Sequence, residues 1–383
     1  MGKRLEFYSY DSVGNPWCAG GGAYRDFEVL KRQKRAGQEV TLFIGAYPGF
    51  RPTLLDGIRI RSLGFAGNSY PLSRLTYALC ANLRVLFSGA DVMGHTISIY
   101  APILAGLFRP DRFYMVFHHF VGKQSFRKLG PIGLIAYLAE WLLFRFGRNV
   151  IVLNRVVEAK VRASNPKANL LLSCNGFESD LLQVTPSEAQ PPYILFLGRF
   201  DVYMKGLDTL LEAFRRFKAS TSQASAGIRL VLAGRASPES LAAVEALVPP
   251  DLKGSKGPAG SDVELKVNVS LAEKASLLSG CLFFCSPSRF EGFGIAALEA
   301  SAAGKALLVT ETDGFRESVV PEKTGLMGPV DDVNFLVRGM TRLACDAGLR
   351  QVLGTAGREW AKGFTWDGVA AREGGWIDAH FGR

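Results

Sequence analysis

Residues 281–304, CLFFC followed by SPSRFEGFGIAALEASAAG, constrain this chain more than any other stretch. The apolar run predicts a buried parallel strand, which breaks at Pro287 and passes a glycine-flanked turn, Glu291-Gly292-Phe293-Gly294. A small-residue helix follows from Ile295 and is stopped by Gly304. Such a strand–loop–helix unit aims unpaired N–H groups and the positive end of the helix dipole out of the sheet's carboxyl edge, a geometry that binds phosphate. Two carboxylates share this anion-friendly place: Glu291 before the turn, and Glu299 just over one turn into the helix. Helical side chains tilt toward the N-terminus, so Glu299 leans toward a bound group. A carboxylate only accepts hydrogen bonds, and its natural partners beside a phosphate are sugar hydroxyls. The simplest ligand is a phosphate with a sugar on each side; the alternative is an ordinary helix with surface glutamates.

Further apolar runs of strand length, at residues 5–10, 40–45, 113–117, 149–153, 193–198, 229–234 and 263–270, alternate with helical stretches. This alternation predicts parallel sheets covered on both faces. A chain of 383 residues exceeds what one core usually organises, so two domains are expected. The segment TPSEAQPP (185–192) carries three prolines without periodicity and reads as the linker. Arg199 and Lys205 follow the next strand and flank the start of a helix, where a guanidinium and an ammonium make a second phosphate clamp. Near the start, Gly20, Gly21 and Gly22 lead into a helix ending at Gly37, and let backbone N–H groups approach a ligand closely. The G-x-G-x-x-G spacing of a dinucleotide site is absent.

Charge is divided unevenly. Residues 1–185 hold 23 Lys+Arg against 12 Asp+Glu, whereas residues 186–383 hold 22 against 23. The first half therefore carries the whole basic excess and attracts an anionic partner: a lipid headgroup, a phosphorylated acceptor or nucleic acid. Neither a zinc pattern nor an RNP-type aromatic motif is present, which argues against nucleic acid. Hydrophobic content of 48% and charged content of 21% fit an ordinary folded protein. Six cysteines without metal-ligand spacing argue for a reduced cytosol, with Cys281 and Cys285 as packing residues. No signal peptide is read at the N-terminus. The segment 130–147, GPIGLIAYLAEWLLFRFG, is the most hydrophobic helix; Glu140 and Arg145 interrupt it and it is short for a span. Two readings stand: a core helix, or an interfacial helix with Trp141, Lys123, Arg127, Lys128, Arg145 and Arg148 at lipid headgroups. The helix end Lys31, Arg32, Lys34, Arg35 adds to the same basic patch.

The Glu-x7-Glu spacing behind PSRFEGFG, with GGGAY near the start, GRFDVYMKGLDTLLEAF, LVLAG, and VTETDGFRESVVPEKTGLM in the same order, resembles the retaining glycosyltransferases of the GT-B fold, family 4. The resemblance implies two Rossmann-like doubly wound parallel-sheet domains facing across a cleft: an acceptor-binding domain at 1–184, a nucleotide-sugar domain at 185–365, and a terminal helix at 366–383 crossing back to the first. Gly374 and Gly375 interrupt that helix pattern. It further implies that Arg199 and Lys205 bind the donor diphosphate with the amides around Gly292, Phe293, Gly294 and Ile295. Glu291 then holds sugar hydroxyls and Glu299 the ribose, while Gly21 and Gly22 face the donor. Backbone after two strands, at Arg235 and at Asn268-Val269, holds the base. The family places one catalytic histidine after the strand 113–117. His118 comes first there, and His119 stands one register away on the acceptor side with His95. The implied function is metal-independent, retaining transfer of a sugar from a nucleotide diphosphate donor, UDP before GDP, to a hydroxyl acceptor. No Asp-x-Asp pair is present, and neither a cofactor nor a nucleic-acid partner is expected. The basic half suggests a lipid-linked or anionic envelope acceptor, with the protein cytoplasmic or peripheral at the inner face of an anionic membrane. A nucleotide-sugar epimerase or a sugar phosphorylase of the same fold is the neighbouring alternative.

Overall fold

The computed structural model describes residues 2–17, 21–98, 102, 106, 108–118, 132–220, 225–253 and 261–381. Its contacts divide the chain into two units, Met1–Asn175 with Trp366–Arg383, and Gly176–Thr365.

In the first unit, eight strands among the described residues form one sheet. They are β1 (Arg4–Tyr8), β2 (Glu39–Gly45), β3 (Thr53–Leu55), β4 (Ile58–Leu63), β5 (Val92–Thr96), β6 (Phe113–Phe117), β7 (Asn149–Val152) and β8 (Asn169–Leu172). Their order is β3-β4-β2-β1-β5-β6-β7-β8, parallel except for the β3–β4 pair. The strands show the two-residue period of a sheet buried on both faces. Phe113, Met115 and Phe117 join one cluster with Tyr77 and Ala81 of the helix Tyr70–Phe87 and Leu143 of the helix Ile132–Phe146. Tyr114 and Val116 face the other cluster, with Phe27 and Leu30 of the helix Gly21–Arg35 and with Ile377 and Phe381 of the helix Trp366–Phe381. That last helix runs unbroken through Gly374 and Gly375, because the residues that hold it, Val369, Ala370, Glu373, Ile377 and Phe381, recur on one buried face.

The Ile132–Phe146 helix is packed on one side and open on the other. Leu143 and Phe144 are buried, whereas Leu134, Leu138, Trp141 and Phe146 are exposed. The Tyr70–Phe87 helix, over the same sheet face, exposes Leu72, Leu75, Leu79, Leu83 and Phe87 at three- and four-residue intervals. Its two charged residues, Arg74 and Arg84, are only partly exposed. Among the described residues, no helix is long and apolar enough to cross a membrane.

The second unit has six described strands, all parallel: β9 (Tyr193–Leu197), β10 (Arg229–Gly234), β11 (Val263–Val267), β12 (Phe283–Ser286), β13 (Leu307–Thr310) and β14 (Gly325–Gly328). Their order, β11-β10-β9-β12-β13-β14, is the 3-2-1-4-5-6 arrangement of a doubly wound nucleotide-binding sheet. Strand order reverses between β9 and β12, so the loops leaving those two strands open the crevice where such sheets take ligands. The core is dense in aromatic and branched side chains, with Phe196, Phe214, Phe217, Leu232, Leu308 and Met340 essentially inaccessible. The proline-rich segment 185–192 lies within this unit: the N–H groups of Ser187 and Ala189 donate to the carbonyls of Ser279 and Gly280, and Lys305 donates to the Ser187 carbonyl. Cys281 and Cys285 are buried free thiols, and burial pushes the Cys281 thiol up to about 12.

Candidate functional site

The loop after β12 is fixed from three sides. Arg289 forks onto Asp208 at 2.9 and 2.8 Å and reaches Asp331 at 2.7 Å. Desolvation would raise the Asp208 carboxyl, and this bidentate pairing outweighs it and holds the group below its ordinary value. The N–H groups of Arg289 and Phe290 both donate to the Met204 carbonyl, and the Thr310 hydroxyl donates to the Ser288 carbonyl at 2.6 Å. Two glycines permit the close approach. Gly206, at φ +62°, leaves no room for a side chain, since a Cβ there would lie 2.2 Å from the Pro287 carbonyl oxygen. A Cβ on Gly314 would lie 2.4 Å from the Glu291 carbonyl oxygen, to which the Gly314 N–H donates.

This scaffold carries Lys205, the last residue of the short helix Val202–Lys205, to Glu291, with Nζ 2.7 Å from Oε2. Glu291 is followed by Gly292, which is exposed, and by Phe293, whose ring is buried near Phe364. Phe293 therefore offers the loop its backbone and not its side chain. Gly294 caps the helix Ile295–Ala302 at φ +86° without any side-chain cap. Among the described residues, the N–H groups of Phe293, Gly294 and Ile295 have no acceptor, as expected of the first turn of a helix. Arg199 lies exposed after β9 on the same carboxyl edge.

Glu299 sits in the second turn of that helix and is 8% exposed, with Oε1 2.5 Å from Nζ of Lys274. The ends of β10 and β11 adjoin. The Asn268 N–H donates to the Gly234 carbonyl at 2.7 Å, with Asn268 itself at φ +57°. The Phe200 N–H donates to the Arg235 carbonyl at 2.9 Å. Thus Arg199, Lys205, Arg235, Asn268, Val269 and the 291–299 segment all leave the carboxyl ends of β9 to β12, with Lys205 and Glu291 in direct contact. Lys274, Arg289 and Asp208 were not singled out by sequence. Each finds its partner 25 to 81 positions away, beyond any local pattern.

In the first unit, Gly21 and Gly22 form the opening turn of the helix Gly21–Arg35. The His118 ring lies over Gly22, where a Cβ would stand 3.2 Å from it, and His118 Nε2 is 3.2 Å from Asp26 Oδ1. Asp26 is buried, accepts from the Thr96 hydroxyl, and lies 3.6 Å from Arg25, which pairs in turn with Glu373 of the terminal helix. Sequence reading passed over Asp26 as well. His119 lies outside the described residues. His95 has no exposed surface: its ring stacks on Phe113 and its Nδ1 is 3.2 Å from the Thr96 carbonyl. It is a sheet-interior residue whose Nε2 has no partner among the described residues. Among the described residues, no group of three or more His, Cys, Asp or Glu is arranged to hold a metal ion.

The doubly wound sheet thus carries cations, unpartnered amides and two carboxylates at its switch point. Sucrose-phosphate synthase from Thermosynechococcus elongatus matches 99% of this chain and 100% of its own with a TM-score of 0.77 at 19% identity, and the fold is GT-B. Residues 178–360 match the family model described as glycosyl transferases group 1. An uncharacterized glycosyltransferase, MJ1178, from Methanocaldococcus jannaschii is 29% identical over 203 residues, covering 53% of this chain and 52% of its own. The phosphatidyl-myo-inositol mannosyltransferase of Mycobacterium leprae is 27% identical over 203 residues, covering 52% of this chain and 50% of its own. The chain spans about half the length of the curated relatives it matches.

Burial holds the His95 ring down to about 3, far below its ordinary 6.5. The folded chain keeps this ring neutral, whereas the unfolded chain takes up a proton below about pH 6.5. Its contribution to stability is therefore complete above that pH and is lost as pH falls toward 3, at about 1.4 kcal/mol per pH unit. Urea unfolding at successive pH values should give a steeper acid loss for the wild type than for His95→Phe, which keeps an aromatic ring against Phe113. Equal slopes would contradict this assignment.

Proposed function

We propose that this protein is a retaining glycosyltransferase that moves a sugar from a nucleotide diphosphate donor to a hydroxyl acceptor. The observation that carries this reading is the Lys205–Glu291 pair beside the unpartnered amides of 293–295, at the crevice of a doubly wound sheet. Breaking the glycosidic bond places negative charge on the leaving diphosphate. Arg199, Lys205 and the amides at Phe293 and Gly294 stabilise that charge without reorganising when the bond breaks. Glu291 accepts hydrogen bonds from sugar hydroxyls and Glu299 from the ribose diol. His118, held by Asp26 over the Gly22 turn, orients reacting groups and forms no covalent intermediate. Cationic groups perform the task given to a divalent ion elsewhere, so transfer is metal-independent in this reading. The base is expected to be uracil, on family frequency. The sugar printed in the name of the mycobacterial relative is mannose, so UDP- and GDP-sugars both belong in the donor panel.

The acceptor in this reading is a lipid-linked or anionic envelope precursor, met at the inner face of a membrane. Supporting it are the basic excess of residues 1–185 and the outward hydrocarbon of two helices on one sheet face. Exposed apolar surface of that extent marks an interaction site, and cationic surroundings draw it to anionic lipid. The mycobacterial relative is named as a phosphatidyl-myo-inositol mannosyltransferase, which supports this reading.

Two measurements test the proposal. With the nucleotide sugar that most raises the melting temperature, transfer to an acceptor extract should persist in excess EDTA. Loss of turnover restored by Mn²⁺ or Mg²⁺ would overturn metal independence. In co-sedimentation, the protein should bind phosphatidylglycerol vesicles more than phosphatidylcholine vesicles, and Leu79→Glu with Leu83→Glu should reduce that binding severalfold. Equal binding to both lipids, or indifference to the substitutions, would remove the membrane part of the proposal.

A further inference from the structure

We propose that Lys274 is a positioning residue of the donor site, fixing the carboxylate of Glu299 for the ribose diol; this rests on the reading of Glu299 given above. Lys274 lies in the first turn of the helix Leu271–Gly280. Ser270 caps that helix by accepting from the Glu273 N–H, and the Lys274 N–H donates to the Ser270 carbonyl. Its side chain reaches Glu299 in a neighbouring helix, Nζ to Oε1 at 2.5 Å, with exposures of 21% for Lys274 and 11% for Glu299. A carboxylate this deeply buried is unfavourable unless paired, and Lys274 supplies its only charged partner among the described residues.

The pairing has a geometric result. An ammonium is a point charge and occupies one oxygen, whereas a guanidinium fork would occupy both. Oε2 of Glu299 has no partner among the described residues, so one carboxylate oxygen stays available to accept from vicinal hydroxyls. The helix that carries Lys274 starts shortly after the turn at Asn268, which is tied to the Gly234 carbonyl. The same helix start therefore links the end of β11, where the base is expected, to the carboxylate expected at the ribose. Lys274 acts through Glu299 and needs no contact with the reacting atoms.

The test uses the full chain and calorimetric titration with UDP or GDP, whichever binds the wild type more tightly, and with its 2′,3′-dideoxy form. Lys274→Met should raise the Kd of the ribonucleotide about tenfold, in line with loss of one charged hydrogen bond. The Kd of the dideoxy form should change less than twofold. Lys274→Gln, which keeps a donor without the charge, should fall between, and serves also if the methionine variant unfolds. Equal losses on both ligands would show a general charge effect, and no loss on either would show a surface ion pair; each overturns the proposal. Glu299→Ala separates the levels of failure. If it weakens only the ribonucleotide while Lys274→Met changes nothing, Lys274 alone is misassigned. If Glu299→Ala leaves ribonucleotide binding intact, or if the wild type binds neither UDP nor GDP, the donor reading itself falls.

Discussion

The fork of Arg289 onto Asp208 is the contact on which the second unit's site depends. It ties the loop leaving β12 to the helix Leu207–Ala219 behind β9, across the point where strand order reverses. That tie acts together with the Arg289 and Phe290 N–H bonds to the Met204 carbonyl in holding Gly206 against Pro287 and Lys205 beside Glu291. The arrangement places charges of both signs at one sheet edge while keeping the amides of 293–295 free. A buried or half-buried charge is tolerated where a partner is held in good geometry, and here each of Glu291, Glu299 and Asp208 has one. The site is thus organised before any ligand arrives, which is the condition for electrostatic stabilisation of a leaving diphosphate.

The first unit uses the same physics with fewer exposed parts. Arg25, Asp26 and Glu373 are almost wholly inaccessible, and the Thr96 hydroxyl and the His118 ring complete the contacts of Asp26. The terminal helix enters this network through Glu373 and closes it. His118 and Thr96 are the members that retain some exposure, and His118 is the one that carries a ring. On the opposite sheet face the chemistry is hydrocarbon, carried by the Tyr70–Phe87 and Ile132–Phe146 helices.

Sequence periodicity revealed the frame and much of the edge. The CLFFC strand, the glycine turn and the small-residue helix stand where spacing put them, at β12 and Ile295–Ala302. The helix after Gly206 also follows its pattern, with Leu207, Leu210, Leu211 and Phe214 buried. Local pattern does not report which face of a strand a polar residue takes when both faces are buried, and so His95 was assigned to the acceptor side although its ring stacks inside against Phe113. It also does not report pairings over long separations. Lys274 with Glu299, Arg289 with Asp208 and Asp26 with His118 exist only after the sheet has assembled. The helix through Gly374 and Gly375 shows the same limit in another form, since tertiary packing on its buried face outweighs the low propensity of two glycines.

The central claim is that the loop after β12 and the helix it caps hold a pyrophosphate. A crystal structure with a bound UDP-sugar or GDP-sugar tests it most directly. The account predicts phosphate oxygens within hydrogen-bond distance of the Phe293 and Gly294 amides and of Arg199 or Lys205, with the ribose at Glu299. A nucleotide seated elsewhere, with these amides still unpartnered, would contradict it.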